Sequence, residues 1–267
     1  MTALDRGFAT FGGLQRLVLV AGTALGLGAC AQGGASSLAS LMAEPAAKSA
    51  ADSAPKSELQ KAVEYWGGEF QKRPQDPKAA LSYARNLKAA GLAPHAMQVL
   101  AQTHTLHPGD RDIAAEYGRL ALAADKIAMA ENLLAFADDP VKPEWRVISA
   151  RGTVHAKRGE YDKAVGYYER ALALAPNEPS VQNNLALAYA ANGESQRAEA
   201  LLRTASAKAG NSARIRQNLA LVVGLQGRYG EAQQLAARDL PPEQAAANAQ
   251  YVRAMVNMPE RGAGTPA

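Results

Sequence analysis

GEYDKAVGYYERALALAP, Gly159 to Pro176, reads as one helix with its punctuation on either side. Gly159 occupies the turn before it, where a helix end commonly needs a residue with positive φ. Pro176 stops it, because proline lacks an N–H and biases its predecessor away from helix. Between them stand one small contact residue, Ala164, and two large ones, Tyr167 and Tyr168. Counting outward in steps of 34 residues, these features return. Ala62, Ala96, Ala130, Ala164, Ala198 and Ala232 form an unbroken series. In an alanine-rich chain one such match carries little weight, but a full series with other positions in step is a repeat.

Those other positions are the ones that helix packing constrains. Ala84, Gly118, Gly152, Ala186 and Ala220 are small, midway along a first helix, where a larger side chain would hold two backbones apart. Gly91, Gly159, Gly193 and Gly227, with Asp125 in the second unit, mark the turns. The second helix carries Val99, Leu133, Tyr167, Leu201 and Leu235 beside Leu100, Leu134, Tyr168 and Leu202. Pro74, Pro108 and Pro176 close second helices.

A helix–turn–helix unit of this length resembles the tetratricopeptide repeat, which cannot bury its apolar face alone and stacks on its neighbours. The resemblance implies an all-α fold, a superhelix (α-solenoid) of antiparallel helix pairs. The expected domain spans 57–258, with a half unit at 57–76, five units over 77–246 and a closing helix at 243–256. Two departures stand out. Arg151 takes the place of Tyr83, Tyr117, Leu185 and Leu219, so that helix is shifted or its arginine reaches solvent. The second unit lacks both glycine and closing proline, with Pro140 and Pro143 nearby. Gly67-Gly68 is expected to kink its helix, and Trp66 and Trp145 to pack at unit junctions.

Ahead of the repeats, Arg6 and Arg16 precede an apolar run, Leu17–Ala29, too short for a comfortable membrane span. It ends in Leu27-Gly28-Ala29-Cys30, and Cys30 is the only cysteine. A disulfide within one chain and a multi-cysteine metal site are therefore excluded. The tetrapeptide resembles the bacterial lipobox, which implies a signal peptide at 1–29, lipidation of Cys30 and, with Ala31 following, outer-membrane sorting in a Gram-negative host. Ala29 and Ala31 would also serve an A-x-A cleavage that releases a soluble periplasmic protein, and an uncleaved anchor is the third reading. Residues 30–56 are Ala/Ser/Gly/Pro-rich and read as a tether spanning roughly 25–30 Å. A frayed tail is expected at 259–267.

Excluding Asp5, Arg6 and Arg16 leaves 27 basic and 24 acidic residues with signs interspersed. A net +3 of this kind gives no clustered basic stripe for nucleic acid. His95, His104 and His107 are close in sequence, but no carboxylate completes a metal set at a familiar spacing. No nucleophile elbow and no phosphate loop after a strand is found. The expectation is a non-enzyme without cofactor, metal or small-molecule substrate.

What remains is a groove, because solenoids bind on the concave surface that first helices line. By register the inward residues include Lys78, Leu81, Arg85, Lys88, Asp112, Arg119, Arg146, Thr153, Lys157, Asn183, Leu187, Arg214, Gln217 and Leu221. The early units are basic and the later ones apolar or amide-bearing. That suits a peptide with an acidic or polar portion and an apolar anchor. The carboxylate clamp of chaperone adaptors, laid on units three to five, would fall on Ser149, Thr153, Asn184, Arg214 and Asn218. Only Asn184 and Arg214 suit it, so that subtype is rejected.

The C-terminal third is more particular. RQNLALVVGLQGRYGEAQQLAARDL (Arg216–Leu240), Pro241-Pro242 and NAQYVRAM (Asn248–Met255) resemble the TadD-type lipoproteins of the tight-adherence (Tad/Flp) pilus assembly system. NNLALAYAANG from Asn183 and the lipobox at Cys30 agree. The resemblance implies a lipid-anchored protein on the periplasmic face of the outer membrane. Its partners would be pilus assembly components, the secretin among them in a pilotin-like role. Another tetratricopeptide lipoprotein, serving outer-membrane protein insertion or cell-wall hydrolase regulation, is the alternative. A soluble periplasmic enzyme module is the reading from a different class.

Overall fold

The turns set the architecture. Gly91, Gly159, Gly193 and Gly227 have φ between 76° and 86°, and Asp125 takes the same left-handed conformation at 59°. At each of them the following N–H bonds back across the helix end: Leu92 to Leu87, Lys126 to Ala121, Glu160 to His155, Glu194 to Tyr189, and Arg228 to Val223. This six-to-one bond satisfies a carbonyl the helix leaves open and turns the chain sharply. The second helix then folds back on the first.

In the computed structural model, residues 57–208 and 212–257 are described. The expected signal segment, Cys30, tether and tail lie outside them. Twelve helices occur among the described residues, and no strand. They are α1 (Glu58–Lys72), α2 (Pro77–Ala89), α3 (Ala93–Leu106), α4 (Arg111–Ala123), α5 (Ile127–Ala137) and α6 (Trp145–Lys157). Then follow α7 (Tyr161–Leu174), α8 (Pro179–Ala191), α9 (Ser195–Lys208), α10 (Ala213–Leu225), α11 (Tyr229–Ala236) and α12 (Pro242–Val256). The fold is an all-α helical-repeat solenoid.

The described residues fall into two compact units, 57–120 and 121–257. In the first, α1 packs on α2 and α2 on α3, around Leu81, Leu87, Val99, Leu100, Ile113 and Leu120. Ser57 caps α1 in a reciprocal box with Gln60, and Asp76 caps α2 ahead of Pro77. Gly67 and Gly68 both lie inside an uninterrupted α1, and Gly67 is buried. Its function is space: a Cβ there would sit 3.1 Å from the Tyr83 ring.

In the second unit each helix packs on the next from α5 to α12, and first helices also meet one another, α6 with α8, α8 with α10, and α10 with α12. One core runs through them, with Ile148, Tyr168, Val181, Leu202, Val222 and Val223 buried. Each such side chain contributes about 1.5–3 kcal/mol on burial. Ala96, Ala130, Ala164 and Ala198 are fully buried and Ala232 nearly so, which makes the alanine series the contact between paired helices. Trp145 packs against this core, and Trp66 sets its edge against Tyr65.

Arg151 neither shifts α6 nor runs free to solvent. Its guanidinium lies 4.6 Å over the Tyr167 ring and donates to Asp138 at 2.5 Å. Arg170 of α7 holds the same carboxylate at 2.7 Å. Burial pushes the Asp138 carboxyl up, but Arg170 and Arg151 outweigh it and leave it below the usual range. Asp138 is also the residue at which α5 ends, ahead of Pro140 and Pro143.

A second clamp centres on Glu199 of α9, which accepts from Arg228, Arg203 and Gln226 and is 14% exposed. Arg228 first, then Arg203 and Gln226, bring its carboxyl down to about 2 against the opposing effect of burial. A depressed carboxylate adds stability above its ordinary value of 4.5 and loses it as pH falls towards 2. Unfolding followed between pH 5 and 2 will therefore show a shallower loss of stability in Glu199→Gln than in the parent chain. Parallel curves would remove the clamp from the account.

Gly152 supplies the sharpest packing test. A Cβ there would lie 2.8 Å from Cε1 of the fully buried Tyr168, whereas Gly166 on α7 has open space around it. Gly152→Ala will lower stability by about 1–2 kcal/mol, overpacking exceeding the helix-propensity gain. Gly166→Ala will raise it by up to about 1 kcal/mol. Urea unfolding of the two variants checks both signs.

Candidate protein-binding grooves

The residues expected to face a groove stand on first helices, and several of those in the second unit line two concavities. The larger, about 460 Å³, lies between α6, the start of α7 and α8. Thr153, Lys157, Tyr161, Asn184 and Leu187 line it, with Tyr168 behind. The buried Tyr168 hydroxyl donates to Thr153 Oγ1 at 3.0 Å, and burial pushes its pKa far up. Lys157 pairs with Asp125 at 2.7 Å and Arg158 with Glu131, which neutralises the rim. The Tyr161 hydroxyl is also pushed up by burial.

The smaller concavity, about 190 Å³, lies between α10, α11 and α12. Arg214, Gln217, Asn218 and Leu221 form one wall, and Asn248, Tyr251 and Val252 of the closing helix another. Tyr251 is 57% exposed, so α12 covers the last apolar face and also presents an aromatic ring to the opening. Both sites combine apolar surface with a few hydrogen-bonding groups, the usual composition of a peptide or ligand cleft.

Asn183 is not at the surface of either. It is 2% exposed, accepts from Asn218 Nδ2 at 2.7 Å and donates to Asn184 Oδ1 at 3.3 Å. This amide chain joins α8 to α10. Arg146 is exposed, its guanidinium 4.4 Å over the Trp145 ring.

In the 57–120 unit, Arg85 and Arg119 come together with Lys88 around Glu116, a buried carboxylate. The register pointed to Arg85 and Arg119 but not to Glu116. A signal for it existed: steps of 34 residues put Ser82, Glu116, Asn184 and Asn218 at one register position, nearly always polar. Tyr161, Asn248 and Tyr251 had no comparable signal. The three histidines take separate neighbours: His95 edges Tyr83, His104 edges Tyr117, and His107 Nε2 meets the Gln75 carbonyl at 2.7 Å. Among the described residues no set of three or more His, Cys, Asp or Glu could hold a metal.

Known proteins agree with this architecture. Tetratricopeptide-repeat family profiles match residues 155–222 and 115–179. No curated protein matches in sequence. Among solved structures, the fold is similar to YrrB, described as a TPR protein with an unusual peptide-binding site. The TM-score is 0.55 and the identity 16%, covering 71% of this chain and 100% of that one. It is similar to PilW, a type IV pilus biogenesis factor, with TM-score 0.63 and 19% identity over 73% and 90% of the two chains. It is also similar to PilF of Pseudomonas aeruginosa, with TM-score 0.57 and 17% identity over 73% and 96%. At these identities the likeness is one of fold. Residues 115–222 carry tetratricopeptide repeats, and that fold typically serves as a module binding peptides or protein partners.

The amide chain gives a prediction of its own. Asn218→Ala leaves the buried Asn183 carbonyl without its donor and will cost about 1–3 kcal/mol. A double-mutant cycle with Asn183→Ala will show coupling, because the second change removes the orphaned group. Strict additivity would mean the bond contributes nothing.

Proposed function

We propose that the chain is a lipid-anchored scaffold on the periplasmic face of the outer membrane that holds protein partners and assists assembly of the Tad/Flp pilus machinery. One observation carries the scaffold part. First-helix residues of successive repeats, Thr153, Lys157, Asn184 and Leu187, then Arg214, Gln217 and Leu221, open into concavities whose walls mix apolar and hydrogen-bonding groups. Such walls suit an extended or helical segment with an apolar anchor. The pilus part is supported by the Arg216–Met255 stretch that resembles TadD-type lipoproteins, and by fold likeness to the type IV pilus biogenesis factor PilW. The anchor is supported by Cys30 at the end of a short apolar leader. Lipid attachment at the membrane would raise the local concentration of the groove near its target.

A photocrosslinking residue at Leu187 or Leu221, activated in intact envelopes, will capture a pilus component, with the secretin the first candidate. Leu187→Arg and Leu221→Arg will each reduce capture about tenfold without unfolding the chain. Capture of unrelated proteins, together with normal surface pili after deletion of the gene, would end the pilus assignment. Palmitate label will be lost in Cys30→Ala; label that persists would end the lipoprotein assignment.

A further inference from the structure

The charges gathered between α2 and α4 exceed what the packing of those helices uses. Glu116, on α4, has a side chain only 7% exposed. Arg119 donates to it at 2.5 Å and Lys88 at 3.3 Å, while Arg85 Nε stands at 3.8 Å, beyond hydrogen-bond reach. Burial pushes the Glu116 carboxyl up, but Arg119 and Lys88 overcome it and hold it below its usual range. It is an anion at neutral pH. Even with that charge assigned wholly to Arg119, its nearest partner, Arg85 and Lys88 keep theirs, with side chains 58% and 47% exposed. The Arg85 guanidinium makes no hydrogen bond among the described residues, and Lys88 keeps donors beyond the one aimed at Glu116. They are three residues apart on α2, about 4.5 Å along the axis and on one face. Asp112, one turn before Glu116 on α4, is exposed.

We infer that Arg85 and Lys88, arranged around the buried Glu116, form a docking site for an acidic, extended segment of a protein partner. The inference rests on the scaffold role above but not on its pilus assignment. Two cations within one helical turn match two neighbouring carboxylates. A nucleic acid or an anionic membrane is neutralised by a longer run of cations than these two. Glu116 acts as a positioning residue: its fixed carboxylate holds the Lys88 ammonium in place, which reduces the ordering cost of binding.

The test uses the full chain and a short fluorescein-labelled Glu-Gly repeat peptide, followed by polarisation, with a Gln-Gly peptide as the neutral match. The acidic peptide will bind about tenfold more tightly, and added salt will erode the difference. Arg85→Gln with Lys88→Gln will abolish the preference, whereas Lys163→Gln on α7, an exposed cation outside both concavities, will leave it. Both α2 side chains are exposed, and an unchanged thermal melt will confirm that the double variant is folded. Equal binding of the two peptides, or a preference that survives in the double variant, overturns the inference. So does Arg85-dependent binding to phosphatidylglycerol vesicles or single-stranded DNA that exceeds peptide binding. Crosslinking that misses pilus components while this preference holds would discard the pilus assignment alone.

Discussion

A residue in the left-handed conformation every 34 positions is the constraint on which the helix pairs depend. It allows the six-to-one bond that ends each first helix, and the bond fixes where the second helix begins. With the turn fixed, the backbones come close at one level, and that level must be small: Gly152 under the Tyr168 ring, Ala186 and Ala220 in later repeats. Glycine serves four of the five turns because a left-handed Cβ is costly. Asp125 is tolerated as a short polar residue of the kind that visits this region, and its carboxylate reaches Lys157 from there.

Close packing leaves little room for polar groups inside, so each buried one needs a built partner. Asn183 and Asn218 answer each other across α8 and α10, and Asp138 gathers Arg151 and Arg170. Tyr189 gives its hydroxyl to Glu169 at 2.6 Å, and burial together with that carboxylate pushes it up to about 12. Apolar stacking alone would let neighbouring repeats slide, since alanine on alanine has little shape. Directional pairs that cross from one helix pair to the next penalise a slip by leaving a buried group unpaired.

This separates what the sequence disclosed from what it withheld. Turns, small contacts and helix-ending prolines are local requirements of the backbone, so they recur in register and can be counted. Arg151 could not be placed that way, because its position depends on Asp138 and Tyr167, which become its neighbours only after folding. The groove residues were legible in part. Lys157, Leu187, Arg214, Gln217 and Leu221 do line concavities, but Asn183 turned inward to a partner in the next repeat, and Arg119 is engaged with a carboxylate the register had overlooked. Facing is set by helical geometry; availability is set by what stands opposite.

The net charge near zero per residue conceals a division of chemistry between the units. In 57–120, cations collect around one buried carboxylate. In 121–257 the concavities carry amides, hydroxyls and leucines, with their rim cations largely paired. An acidic segment suits the chemistry of the first unit, and a segment with an apolar anchor suits that of the second. Charge contacts set the encounter rate more than the lifetime, and buried apolar contacts the reverse, so substitutions in the two units would act on different rate constants.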